Sequence, residues 1–361
     1  MRVGSPQPCG SVCICEVHMG ARMPRIAWFG ATLSEDSTPT RAGRRRTKPI
    51  EGETMYKVHC LNNISQEGLA LLTDDYELTD NIEEADAILV RSANMHEMPI
   101  PAQLKVVARA GAGVNNIPLE AMAEAGVPVL NTPGANANAV KELVLAGMLL
   151  SARDIIGGIN WVKENAEDEN VGKAAEKAKK AFAGGEIFGK TLGVIGLGAI
   201  GKLVVGAAEA LGMKVIGYDP FLDAERAAAI SSTMQFTADL AELLAASDYA
   251  TIHVPANDAT RGMIGAEEIA RMKDGAVFLN FSRDVLVDDA AMTQALESGK
   301  VARYVTDFAN SAVVKMERAI VLPHLGASTA EAEENCAKMA VAQIMDYLEN
   351  GTKTHCVNMR D

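Results

Sequence analysis

Residues 191–219 read TLGVIGLGAIGKLVVGAAEALGMKVIGYD. The apolar run Thr191–Ile195 is of the kind that forms a buried strand. Gly196-Leu197-Gly198-Ala199-Ile200-Gly201 follows with the spacing G-x-G-x-x-G, and an Ala/Val/Leu-rich segment then stops at Gly212, a residue suited to the left-handed end of a helix. Met213–Tyr218 reads as a second strand, with Asp219 at its carboxyl end. The three glycines serve different physical ends. Gly196 makes the tight turn, Gly198 lets backbone approach a pyrophosphate, and Gly201 lets the helix pack closely on the strand. The helix N-terminus, opening at Ala199 and Ile200, would face the phosphates. Asp219, eighteen residues after Gly201, is placed to accept hydrogen bonds from an adenosine ribose. A lone glycine motif is weak; strand, turn, helix, strand and acid in this order predict a dinucleotide site, with NAD as cofactor.

Around this unit, 361 residues leave room for two domains. A composition of 48% hydrophobic and 22% charged residues is that of an ordinary globular chain. The net charge of −13 argues against nucleic acid and anionic membranes as partners, and no apolar run reaches the length of a membrane span. Six scattered cysteines form no disulfide framework and fit a reducing cytoplasm. Residues 1–54 stand apart, with eight Lys/Arg against five acids and no sustained period of 2 or 3.6. They read as a disordered extension, with a transit peptide or translation from Met55 as the other readings. They lack the apolar stretch of a secretory signal. Cys13-x-Cys15 lacks zinc spacing, and no metal is expected.

From Met55 the chain becomes regular. Tyr56–Leu61, Ala87–Arg91, Val106–Ala110 and Val127–Asn131 read as strands, with helices over Gln66–Thr73 and Leu119–Ala125. A helical run follows over Ala139–Ile156, then a Glu/Lys-dense helical stretch over Trp161–Phe182. That stretch is either a solvated face or an arm packing on a second subunit. Beyond Asp219, Tyr249–Val254, Ala276–Asn280, Tyr304–Asp307 and Ile320–Leu322 read as further strands, and Ala330–Leu348 as a last helix. Strands alternating with helices predict an α/β fold of parallel sheets, whose ligands bind outside the strand carboxyl ends.

Three residues at such ends could carry chemistry: Arg283, Asp307 and His324. A dinucleotide enzyme acting on a 2-hydroxy or 2-oxo acid needs a cation for the carboxylate and a proton carrier. Arginine suits the first by its bidentate fork, histidine the second. Taken singly, such an arginine is more often a surface ion pair and such a histidine a structural hydrogen-bonder. No nucleophile elbow, P-loop or metal cluster stands beside them, which leaves hydrolase and kinase readings without support.

Asn131-Thr132-Pro133-Gly134-Ala135-Asn136-Ala137-Asn138, the GLGAIG turn, Leu279-Asn280-Phe281-Ser282-Arg283 and Pro323-His324-Leu325-Gly326-Ala327-Ser328-Thr329 resemble the D-isomer-specific 2-hydroxyacid dehydrogenases. Val90-Arg91-Ser92-Ala93-Asn94-Met95 and Ala110-Gly111-Ala112-Gly113-Val114-Asn115-Asn116-Ile117 look like the members that oxidise 3-phosphoglycerate. The likeness runs from Met55 to the C-terminus. It implies two Rossmann-like, doubly wound parallel-sheet domains with a cleft between them. The substrate-binding domain would comprise 55–153 and a C-terminal helix in 327–361, with the NAD domain over 154–326. It also implies that Arg283 binds the substrate carboxylate and His324 acts as acid/base. Asp307 would lie near the nicotinamide carboxamide and His253, Val254 and Pro255 along the cofactor's adenosine side, with Thr260 and Gly326 also binding the cofactor. Arg91 with Ser92 would meet the substrate phosphate, and the loop from Gly111 through Ala112 and Gly113 to Asn115 the carboxylate. The implied reaction is hydride transfer from 3-phosphoglycerate C2 to NAD, the first step of phosphorylated serine biosynthesis, in a homodimer or higher homo-oligomer.

Two departures qualify the likeness. Family members often carry a glutamate five residues after the aspartate, where it pairs with the histidine; here that position is Ala312, and either no acid replaces it, the preferred reading, or Glu317 reaches in as the possible catalytic acid. The end at Asp361 is also too early for the small serine-sensing domain of long relatives. A glyoxylate/hydroxypyruvate or D-lactate-type reductase is the alternative enzyme, and a dinucleotide-sensing corepressor-like protein the alternative from another class.

Overall fold

The computed structural model describes residues 55–359; the expected disordered extension over 1–54 lies outside the described residues. Five strands form the first sheet: β1 (Tyr56–Cys60), β2 (Tyr76–Leu78), β3 (Ala87–Val90), β4 (Val106–Arg109) and β5 (Val129–Leu130), with α1 (Gln66–Leu69) and α2 (Leu119–Glu124) between them. Then come α3 (Ala137–Ala152), α4 (Ile155–Glu164) and α5 (Val171–Ala178). The second sheet is built from β6 (Thr191–Ile195), β7 (Lys214–Tyr218), β8 (Gln235–Thr237), β9 (Tyr249–Ile252), β10 (Ala276–Asn280), β11 (Val301–Thr306) and β12 (Ala319–Val321). Its helices are α6 (Ala199–Ala210), α7 (Ala224–Ile230), α8 (Leu240–Ala246), α9 (Ala266–Arg271) and α10 (Asp289–Ser298), and α11 (Ala330–Asn350) ends the order.

All pairings within both sheets are parallel. The first sheet runs β2-β1-β3-β4-β5 and the second β12-β11-β10-β9-β6-β7-β8. Both orders reverse once, between β1 and β3 and between β6 and β9, and such reversals open the crevice where doubly wound sheets bind ligands. Both faces of each sheet are covered, which is why β3, β9 and β10 are buried along their whole length. The last helix closes the first sheet: Cys336, Ala337, Ala340, Val341 and Ile344 share a core with Val58, Leu89, Val106 and Leu130. Gly68 lets α1 press against it, because a Cβ there would stand 2.5 Å from Ala337 Cβ. By contrast α3 packs on the second sheet, burying Val140, Val144 and Met148 with Leu279 and Val305.

The expected helix over Ala139–Ile156 is two helices. Arg153 is extended and the Asp154 carboxylate accepts from Gly157 N (3.0 Å), capping a new start. The expected helix over Trp161–Phe182 is likewise interrupted, with the chain turning between Asn165 and Asn170 before α5. The strand expected over Val127–Asn131 shrinks to two residues, since Pro128 has no N–H to give. The helix expected over Gln66–Thr73 likewise stops at Leu69. β2 and β8 were not expected from the sequence; both are three-residue outer strands, too short to show alternation.

Candidate active site

The glycine turn lies at the reversal of the second sheet. Gly196 has φ +90°, and a Cβ there would come within 2.6 Å of His253 O; one on Gly201 would lie 2.0 Å from Gly196 O. Both glycines are therefore demanded by the chain's own packing. Gly198, which caps α6, is different: no atom lies within 4 Å of the position a Cβ would take. That open space, above the unpaired N–H groups of the first helical turn at Ala199 and Ile200, is what an approaching pyrophosphate requires. Asp219 stands beside it, accepting from Leu197 N and Phe221 N (both 2.9 Å). Its oxygens retain lone pairs for ribose hydroxyls.

After β9 the chain passes through His253, Val254 and Pro255, and the loop is closed by Thr260, whose hydroxyl donates to Pro255 O (2.6 Å). His253 N donates to Ile195 O (2.7 Å), and its ring Nε2 meets Thr251 Oγ1 (3.0 Å). Burial pushes the His253 imidazole down to about 3, so the ring is neutral at physiological pH. Its Nδ1 is buried without a partner, as is Asp307 Oδ1. Asp307 Oδ2 accepts from Gly326 N (2.7 Å). Burial raises the Asp307 pKa, against the lowering effects of that bond and of the His324 and Arg283 charges. Two orphaned polar atoms and a cradle over Gly198 are features a dinucleotide's polar groups would complete.

His324 follows β12 and carries a left-handed backbone (φ +50°). The conformation is held by its N–H, which donates to Asp307 O (2.8 Å), and its exposed ring leans on Phe308 with centroids 5.0 Å apart. Arg283 follows β10, where buried Asn280 donates to its carbonyl (2.8 Å) and its own guanidinium donates to Ser282 O (2.6 Å). That guanidinium lies over Gly113, where a Cβ would approach its Nη2 to 2.6 Å. Loop 111–113 is fixed from below by Thr132 N to Gly111 O (3.1 Å) and Asn131 Nδ2 to Ala112 O (2.6 Å).

Arg91, Ser92, Gly111 and His324 line one hollow of about 240 Å³. Two residues missed by sequence reasoning organise it. Asn62 Oδ1, beyond β1, accepts from the successive N–H groups of Arg91, Ser92 and Ala93 (2.9, 2.9 and 3.0 Å). Arg109, at the end of β4, lines the hollow, donates from Nε to Arg91 O (3.1 Å) and lies against Gly111. Burial lowers the Arg109 pKa, and the positive charges of Arg283 and Arg91 lower it further. The strand-end rule that singled out Arg91 applies equally to Arg109.

Asn115 and the alternative acid Glu317 do not line this hollow. Asn115 is exposed and offers its carbonyl to His96 Nε2 (2.9 Å). Glu317 is exposed in a different hollow with Thr293, Lys315 and Arg318. It precedes the amino end of β12, whereas His324 follows the carboxyl end; a three-residue strand of about 10 Å separates the two edges. Glu317 is thus not placed to substitute for the glutamate absent at Ala312. The carboxyl group beside His324 is that of Asp307. Among the described residues no cluster of three or more His, Cys, Asp or Glu is placed to hold a metal, and no helix is long and apolar enough to cross a membrane.

Residues 145–326 match the NAD binding domain of the D-isomer specific 2-hydroxyacid dehydrogenases. The chain belongs to this family and carries its NAD binding domain. A D-3-phosphoglycerate dehydrogenase of Methanocaldococcus jannaschii is 37% identical over 292 residues, 78% of this chain and 53% of that protein. A hydroxypyruvate reductase of Thermotoga maritima is 35% identical over 317 residues, 81% of this chain and 98% of that protein. Among solved structures, the NAD+-bound 3-phosphoglycerate dehydrogenase of Entamoeba histolytica superposes with a TM-score of 0.68 at 27% identity, covering 84% of this chain and 99% of its own. The chain spans about half the length of the M. jannaschii enzyme and of the D-3-phosphoglycerate dehydrogenases of Synechocystis and Archaeoglobus fulgidus that it also matches.

Proposed function

We propose that the chain oxidises 3-phospho-D-glycerate to 3-phosphohydroxypyruvate with NAD, as the first step of phosphorylated serine biosynthesis in the cytoplasm. The observation that carries this reading is the gathering of Arg91, Arg109 and Arg283 around one loop. A hydroxy acid with one carboxylate needs one such fork; two further guanidinium groups suit a phosphate dianion. Arg283 holds the carboxylate, with the Gly111–Gly113 backbone beside it. Arg91 and Arg109 hold the phosphate. The His324 imidazole takes the C2 hydroxyl proton as the C2–H bond breaks. Bound NAD supplies the acceptor for the hydride. Asp307 Oδ1 and His253 Nδ1 orient the cofactor at its nicotinamide and along its length.

The second reading, reduction of hydroxypyruvate or glyoxylate, draws on the nearly full-length likeness to the T. maritima hydroxypyruvate reductase. Steady-state turnover decides between them, using 3-phosphoglycerate against D-glycerate, D-lactate and 2-hydroxyglutarate. Arg109→Ala should cost the phosphorylated substrate about 2–3 kcal/mol, the scale of a charge-assisted hydrogen bond, and the others far less. An equal loss on every substrate would assign Arg109 to the scaffold and favour the second reading.

The assembly we propose is a homodimer through α4 and α5. No residue of either helix is buried, and Leu149, Ile155, Ile156, Ile159 and Val162 expose apolar surface that short helices alone do not support. A second copy fits by charge. Acids Glu164, Glu167, Asp168 and Glu169 precede lysines Lys173, Lys177, Lys179 and Lys180, so a two-fold pairing sets each run against the other.

A further inference from the structure

The Arg91–Glu333 ion pair lies inside the hollow of the candidate site. Glu333 comes from the first turn of α11 and lines the hollow together with Arg91, Arg109 and His324. A carboxylate presents two oxygens to a guanidinium fork much as a phosphate does. Glu333 therefore occupies the face of Arg91 that an incoming phosphate needs. Its neighbour Glu334 is engaged by Lys338 (2.6 Å), and the cations around Glu333 include Arg91 and the half-buried Arg109. The paired side chains are 38% and 40% exposed, so solvent screens their attraction and the pair opens readily.

We infer that Glu333 is a tethered stand-in for the substrate's phosphate and thereby a specificity-determining residue. It compensates Arg91 until a dianion displaces it, and a substrate with an uncharged tail has nothing to displace it with. Like charge between Glu333 and the bound phosphate also opposes weak binders. This inference rests on the phosphate reading of the site given above.

Calorimetric titration of the full chain with inorganic phosphate, at fixed ionic strength, tests it on the wild type, Glu333→Gln, Arg91→Ala and the double variant. Glu333→Gln should bind phosphate about three- to tenfold tighter than wild type, a gain on the scale of a screened ion pair plus relieved repulsion. In the Arg91→Ala background the same change should bring less than about half of that gain on a logarithmic scale. Unchanged or weaker binding by Glu333→Gln, an equal gain without Arg91, or no phosphate binding by any variant would overturn the inference. Turnover is read separately. A wild type inert toward 3-phosphoglycerate, yet showing the Arg91-dependent gain, would retire the substrate assignment and leave the role of Glu333 standing.

Discussion

Asp307 and His253 are each buried with one polar atom unpartnered among the described residues, and each leaves a signature in the pH dependence of stability. The Asp307 pKa is raised by burial, so the fold favours its protonated form. Its contribution falls as pH rises from the ordinary carboxylate value of about 3.9 through the raised one, and the penalty is complete above it. Asp307→Asn should therefore melt at a higher temperature than wild type near pH 7, with the difference shrinking toward pH 4, while NAD binds more weakly. A variant that is less stable at pH 7 would mean that the Gly326 N–H bond to the charged carboxylate outweighs its burial. His253 runs the other way: its pKa is about 3 in the fold against about 6.5 unfolded. Its contribution is complete above about pH 6.5 and is lost as pH falls toward 3. Thermal melts between pH 7 and 5 should show wild type losing stability more steeply than His253→Gln; parallel slopes would place the acid sensitivity elsewhere.

At the scale of elements, the turn from β6 into α6 separates two kinds of glycine. Gly196→Ala and Gly201→Ala should both lower the melting temperature, because each new Cβ meets backbone, and at Gly196 the positive φ adds strain. Gly198→Ala should melt like wild type without cofactor yet lose NAD affinity, because its Cβ enters only the open space. Fluorescence titration with NADH measures the affinity, and a Gly198→Ala protein with unchanged affinity would remove the pyrophosphate from that position. This turn was also the most legible part of the sequence. Its strand bounds, Thr191–Ile195, and those of Ala276–Asn280 coincide with the structure, since fully buried parallel strands read as unbroken apolar runs. Legibility failed where the outcome depends on distant partners. The Asn62 side chain serves three N–H groups some thirty residues away, and Glu333 reaches Arg91 from the far end of the chain. Neither pairing leaves a local pattern. Glu317 was open to two readings because a loop's direction is not encoded in spacing, and the structure puts it at the wrong edge of the sheet.

Over the whole molecule, the arm formed by α4 and α5 calls for the one prediction about assembly. Ile159→Glu combined with Val162→Glu should halve the mass seen by sedimentation equilibrium, because two charges would enter an apolar contact; an unchanged mass would place the partner surface elsewhere. A further consequence follows from α11, which seals the first sheet with residues some two hundred positions after β5. During synthesis, at about 5–20 residues per second, that sheet must wait on the order of ten seconds or more for its cover. Val58, Leu89, Val106 and Leu130 stay open meanwhile, while the second sheet has all its strands before α11 emerges. Of the two sheets, the one whose strands are made earlier is thus the one covered last, and its apolar face waits on the slower arrival of a distant helix.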